Sequence, residues 1–314
     1  MKMMKNVFCA LLMTLSAWCA ALAPEAETFI WRISKDHTPT SYLIGTVHVG
    51  KQGNTLPTAY RQALAQTPRL VVETQIDEAF FQSKAGMERA MLMMNMAQSP
   101  HTLRESLGEK RNARFQQVLR RHVADAGIRA MFQPEQRWQP WFVKMSLDFA
   151  ILPKGYNEKY GIDALLIKAA RVQNKEVTEL EGVEAMKIFQ DLPEDAVLRA
   201  IDVVLKRPQN QVAEAQNLLK LYETGQVSAL WRQMEDEKQY LPYPPADRAL
   251  WRTFGNDVLL VRRNRQWLPK LTAMLDKQAN TVAVGAAHLF GEQGLIKLLR
   301  EKGYRVEPVL PAKH

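Results

Sequence analysis

Two segments near opposite ends of the chain follow one pattern: an apolar run, a glycine, two small or β-branched residues and a histidine. They are Leu43-Ile-Gly45-Thr-Val-His48 and Ala283-Val-Gly285-Ala-Ala-His288. A strand that runs into glycine and then into a helix is the βα turn of an open α/β sheet. Ligands collect at the carboxyl ends of such strands, and glycine lets backbone and ligand approach closely. Taken singly, either histidine reads better as a buried imidazole satisfied by a backbone carbonyl. The repetition favours a shared site, because the chain has six histidines and the other four sit in ordinary places. His37 is in a turn, His101 and His122 are in polar helical stretches, and His314 is at the terminus.

The surrounding pattern supplies the rest of a sheet. Thr28 to Ile33 and Ser41 to Thr46 read as a hairpin across Lys35 to Pro39. A helix follows Pro57, and Arg69-Leu-Val-Val-Glu73 is a compact buried strand. From about Ile76 to Tyr160 the pattern turns helical and methionine-rich. Met91, Met93, Met94 and Met96 suit flexible core filling better than a permissive groove. Strand and helix alternate again from Gly161 to Val183, with the strand Glu176 to Leu180 between. A second helical stretch follows, then a helix around Asp257 to Lys277, the strand Thr281 to Gly285, a helix from Gln293 and an edge strand, Tyr304 to Pro308. This alternation predicts an α/β fold: a mixed, largely parallel central sheet with flanking helices, in one domain over 24–314, with helical insertions at about 76–160 and 194–255.

Residues 1–23 stand apart from this pattern. Lys2 and Lys5 precede an apolar run from Val7 to Ala23 that ends in small residues and is too short to span a bilayer. It reads as a cleaved secretory signal peptide and implies a periplasmic or secreted protein with no transmembrane span after cleavage. Both cysteines lie inside it, so the mature chain would contain neither a disulfide nor a thiolate ligand. The excess of 42 basic over 33 acidic residues gives +9. These charges are scattered among acidic neighbours rather than gathered in blocks, which argues for a solvated surface and against a nucleic-acid partner.

Carboxylates fall at matching places along the sheet. Glu73 ends its apolar strand and is the hardest to explain as packing. Glu181 follows the strand through Leu180, where it also suits the start of the next helix. Asp163 is either a further site carboxylate or a helix N-cap. Glu179 reads as a surface residue. Arg263, in Arg263-Asn264-x-x-Trp267, is either an anion-binding fork or a member of a surface basic cluster. Histidine with glutamate and no cysteine is a ligand set for Mn²⁺, Co²⁺, Fe²⁺ or Zn²⁺. Such an ion lowers the pKa of bound water and polarises a carbonyl. The chain has no Gly-x-Ser-x-Gly, His-Glu-x-x-His or Walker motif, so the hydrolase and nucleotide-triphosphatase classes those motifs mark lack support.

At these residues the chain resembles the TraB/PrgY/GumN family, in particular its secreted GumN-like bacterial members. The resemblance runs in order through Tyr42 to His48, Leu56-Pro57, Val72-Glu73, Pro140-Trp141, Tyr160-Gly-Ile-Asp163, Leu180-Glu181-Gly182, Arg263-Asn264-x-x-Trp267 and Val284 to Gly291. The helical middle departs most. The resemblance implies a fold related to the erythromycin esterase and ChaN-like proteins. Through the animal Tiki proteins it implies a metal-dependent protease active with Mn²⁺ or Co²⁺. On that likeness His48, Glu73 and His288 are the metal centre, and Glu73, Glu181 and Arg263 carry the catalysis. The expected function is therefore an exported metal-dependent hydrolase acting on a peptide or protein substrate. The alternatives are a non-catalytic periplasmic protein binding metal or haem in the same crevice, or a scaffold that binds peptides through its methionine-rich helices.

Overall fold

The computed structural model of the chain describes residues 24–75 and 78–310. The leader expected over 1–23 lies outside the described residues. The first strands are β1 (Ile30–Ser34) and β2 (Ser41–Thr46), the antiparallel hairpin expected from the sequence. Two short strands, β3 (Gly50–Lys51) and β5 (Tyr156–Asn157), pair with each other apart from the main sheet. The main sheet is completed by β4 (Arg69–Val72), β6 (Glu176–Glu179), β7 (Asn280–Gly285) and β8 (Arg305–Pro308), in the order β6-β4-β7-β2-β1-β8. Four neighbours, β6, β4, β7 and β2, are parallel. β1 runs antiparallel to β2 and β8, so the fold is mixed α/β with a mostly parallel sheet.

The burial of each strand follows its place. β7 lies between β4 and β2 and is covered on both faces, and its run Thr281-Val-Ala-Val is wholly buried. β1 lies nearer the edge and alternates, with Arg32 exposed between buried Trp31 and Ile33. Helices α1 (Thr58–Ala65), α4 (Ile162–Val172) and α7 (Leu295–Glu301) pack their apolar faces on this sheet and form the first core with it.

Helices α2 (Lys84–Ala97), α3 (Pro140–Ala150) and α5 (Glu194–Lys206) contribute to a second core, which joins Phe115, Phe132, Phe142, Ile201 and Trp251. In α2, Met94 and Met96 pack against that core while Met91 is exposed. The helix expected from Val183 is a 3₁₀ segment, Val183–Phe189. The helix expected around Asp257 to Lys277 starts earlier. A π-helical stretch, Phe254–Arg262, precedes α6 (Arg263–Leu275), and π-helical turns are rare and frequent at functional sites. Among the described residues no helix is long and apolar enough to cross a membrane.

Candidate functional site

The register of the parallel strands decides which chain ends meet. Thr46 faces Gly285 across β2 and β7, Val72 faces Ala283 across β4 and β7, and Val72 faces Glu179 across β4 and β6. The residues just beyond those positions, His48, His288, Glu73 and Glu181, therefore leave the same sheet edge, at the carboxyl ends of four adjacent strands. A Cβ on Gly285 would lie 3.3 Å from Glu73 Oε1, 3.6 Å from His288 Cδ2 and 4.0 Å from His48 Nε2. Gly285 is thus the floor around which both imidazoles and the carboxylate gather, and a Cβ there would touch both rings and press on Glu73.

His48 is oriented from below. Its Nδ1 lies 3.1 Å from Asp163 Oδ2, and because a carboxylate only accepts, Nδ1 carries the proton and Nε2 faces the site. Asp163 lies in the first turn of α4 but does not cap it; its other oxygen accepts from Thr46 Oγ1 at 2.5 Å. Gly161 makes this possible. A Cβ there would sit 2.3 Å from the His48 carbonyl oxygen, so only glycine lets the helix start this close, with Ile162 N–H bonded to Val47 O at 2.9 Å. The Asp163 carboxylate raises the His48 imidazole to about 9, although its partial burial opposes this. Its side chain remains 47% exposed.

His288 is the opposite case, with its side chain only 4% exposed. Asn264 donates through Nδ2 to the carbonyls of His288 and Gln293 at 3.1 and 2.7 Å, which fixes its amide. Its Oδ1 then accepts from His288 Nδ1 at 2.7 Å, leaving the Nε2 lone pair toward the site. Burial, with the nearby charges of Arg263 and His48, holds this imidazole down at about 4 despite Glu73. Two histidines drawn from one sequence pattern therefore hold opposite protonation states at neutral pH.

Glu73 and Arg263 complete the cluster. Burial pushes the Glu73 carboxyl up, but His288, Arg263, His48 and the Gly285 N–H together hold it at about 2. Arg263, at the junction of the π-helical stretch and α6, reaches Glu73 Oε2 through Nη2 at 2.6 Å and His288 Nε2 through Nη1 at 3.3 Å. Its side chain is 17% exposed, so it belongs to the site rather than to a surface cluster. Glu181 grips Arg263 through Nε and Nη2 and accepts from Trp267 Nε1 at 2.8 Å. Glu181 is thus a positioning residue for Arg263. The Arg263 guanidinium lies over the Trp267 ring at 4.6 Å. Glu179 is half-buried rather than a surface residue, since Arg89 of α2 pairs with it and Gln75 N–H donates to it at 3.0 Å.

The atoms through which this edge can hold a divalent cation are His48 Nε2, Glu73 Oε1 and His288 Nε2, a nitrogen and oxygen set suited to borderline ions. His288 Nε2 and Glu73 Oε1 stand 3.7 Å apart, within the ~4.2 Å that two bonds of ~2.1 Å to one ion can bridge. Among the described residues no three His, Cys, Asp or Glu side chains already stand as a coordination sphere. Loading would require the charged His48 to lose its Nε2 proton and Arg263 Nη1 to give up His288. The donor chemistry fits an ion after those two changes.

The close approach expected at the strand-end glycine is found at Gly285, whereas the role of Asn264 was not foreseen and Asp163 was left undecided. The signals were present in the Arg-Asn pair and in the Gly-x-Asp spacing, but each acquires meaning only against the histidine it touches.

A mostly parallel α/β sheet with histidines from two matching turns on adjacent strands defines the class of protein. The model of the TraB/PrgY/gumN family matches residues 29–308, and the chain belongs to that family. It is similar to the uncharacterized protein YbaP of Shigella flexneri, 30% identical over 265 residues, which are 83% of this chain and 88% of that protein. It is similar also to the uncharacterized protein YbaP of Escherichia coli strain K12, 30% identical over 264 residues, 82% of this chain and 87% of that one. No solved structure matches the chain significantly.

Proposed function

We propose that the chain is an exported, metal-dependent hydrolase that cleaves peptides. The observation that carries the reading is the meeting of His48, His288 and Glu73 around Gly285 at the carboxyl edge of the sheet. The apolar, lysine-led start of the sequence supports export. A divalent cation held by His48, Glu73 and His288 would polarise a scissile carbonyl and lower the pKa of the attacking water.

The chain's own groups do the rest. Asn264 and Asp163 keep the Nδ1 protons in place, so both Nε2 atoms face the reacting group. Arg263 carries a fixed positive charge to the place where the carbonyl oxygen becomes anionic, and Glu181 with Trp267 holds it there.

The test is cleavage of a peptide library by the purified chain with Mn²⁺, Co²⁺ or Zn²⁺, read by mass spectrometry. Cleavage lost with EDTA and in His48→Ala is the expected result. No cleavage with any of the three ions overturns the reading.

One observation favours a second reading: Arg263 already occupies the position beside His288 Nε2 and Glu73. In that reading Arg263 is the electrophile and no ion takes part. Cleavage that survives EDTA but fails in Arg263→Ala selects it.

A further inference from the structure

We propose that an aromatic cavity beside the His48 edge is the subsite for a bulky apolar side chain of the peptide, next to the bond attacked. The inference rests on the peptide-hydrolase reading above and names which peptides that site accepts. The cavity measures about 350 Å³ and is walled by Trp141, Phe149, Phe189, Trp251, Phe254 and Leu259. That is the low end of the range for ligand pockets and ample for one large side chain.

Two of its walls touch the candidate site. The Phe149 ring, at the end of α3, lies edge-on to the His48 imidazole with centroids 6.3 Å apart. Phe149 is 52% exposed, so the cavity's wall beside His48 is open to an entering group. On the other side, the Leu259 carbonyl accepts from Arg263 Nη1 at 3.3 Å. The π-helical stretch thus supplies the cavity wall at Phe254 and Leu259 and delivers Arg263 directly after it.

The chemistry of the walls selects a neutral guest. Trp141 stacks on Phe189 at 6.0 Å, and Trp251 meets Phe254 edge-to-face at 6.1 Å, so the rings are fixed and present edges and faces to an entering ring. The charged lining residues are Lys144 and Asp148, which pair with each other at 2.5 Å and leave no net charge for an ionic guest. Those two residues, with Gln239 and Tyr243, also line a neighbouring cavity of about 760 Å³, so the two cavities adjoin across a shared wall.

The experiment titrates N-acetyl-L-phenylalaninamide and N-acetyl-L-alaninamide into the purified chain in EDTA, followed by saturation-transfer NMR. The phenylalanine compound should bind at least about 10-fold more tightly. Leu259→Trp, which fills the cavity, should weaken it by about 10-fold or more. Phe149→Ala, at a half-exposed position that the fold does not need, should also weaken it and serves if Leu259→Trp does not fold. In the peptide library with metal, cleavage should fall beside aromatic or large aliphatic residues and shift to small ones in Leu259→Trp. Equal binding of the two amides, or binding indifferent to both pocket variants, overturns the subsite even if peptides are cleaved. Selective binding without cleavage of any peptide leaves the pocket standing and overturns the hydrolase reading instead.

Discussion

Glu73 Oε1 accepts the backbone N–H of Gly285 at 2.6 Å, so the carboxylate from the end of one strand is clamped to the end of its neighbour. That bond makes any side chain at Gly285 press on the carboxylate. Gly285→Ala would bring a methyl group to 3.3 Å from Glu73 Oε1 and 3.6 Å from the His288 ring. The substitution should reduce Mn²⁺ or Zn²⁺ affinity about 10- to 100-fold, the usual effect of displacing an oriented ligand. Calorimetric titration checks it, and unchanged affinity would show that Glu73 does not serve the ion.

The metal-free protein should show its two site imidazoles titrating far apart. NMR of ¹⁵N-labelled histidines should find His288 neutral down to about 4 and His48 protonated up to about 9. The stability terms have opposite signs. The His48 contribution is complete below its ordinary 6.5 and fades as pH rises to about 9. The His288 contribution is complete above 6.5 and fades as pH falls to about 4, and that of Glu73 is complete above 4.5 and fades toward about 2. Melting temperature against pH should therefore fall on both sides of neutrality. Asp163→Asn should remove the decline on the alkaline side, and a decline that persists in it assigns that limb to another group.

Loading with Zn²⁺ at pH 7 should release about one proton per ion, because His48 must give up the proton that Asp163 stabilises. Titrations in buffers of different ionisation enthalpy count it. His48→Ala should release none, and wild-type binding without proton release would remove His48 from the ligand set.

Asn264→Ala should strip His288 Nδ1 and two buried carbonyls of their partners. The expected loss of stability is roughly 1–3 kcal/mol, from urea unfolding. Asn264→Asp keeps an acceptor for Nδ1 and should restore metal affinity better than stability, a split that a purely structural role would not give.

Much of the sheet was legible because the strands carry local signals: the buried run of β7 and the alternation of β1 follow directly from place and composition. The paired Gly-x-x-His turns were legible for the same reason, and their convergence follows from β2 and β7 being parallel neighbours. Asp163 was ambiguous because an aspartate in a first helical turn reads as a cap, and only the approach of Gly161 to His48 diverts it. The work of Glu181 and Asn264 was hidden because each acts on a residue distant in sequence, Arg263 and His288. The aromatic cavity was invisible. Its walls come from α3, the 3₁₀ stretch, the short helix Arg248–Thr253 and the π-helical stretch, and a change of helical register carries no composition signal.

The pairing of β2 with β7 joins a strand made early in synthesis to one made almost last. A growing polypeptide displays its first imidazole from the outset, yet lacks the second until nearly the whole length has been delivered. Whatever reactivity the finished edge possesses is thereby withheld from the ribosome, and a copy that ends before β7 never acquires it.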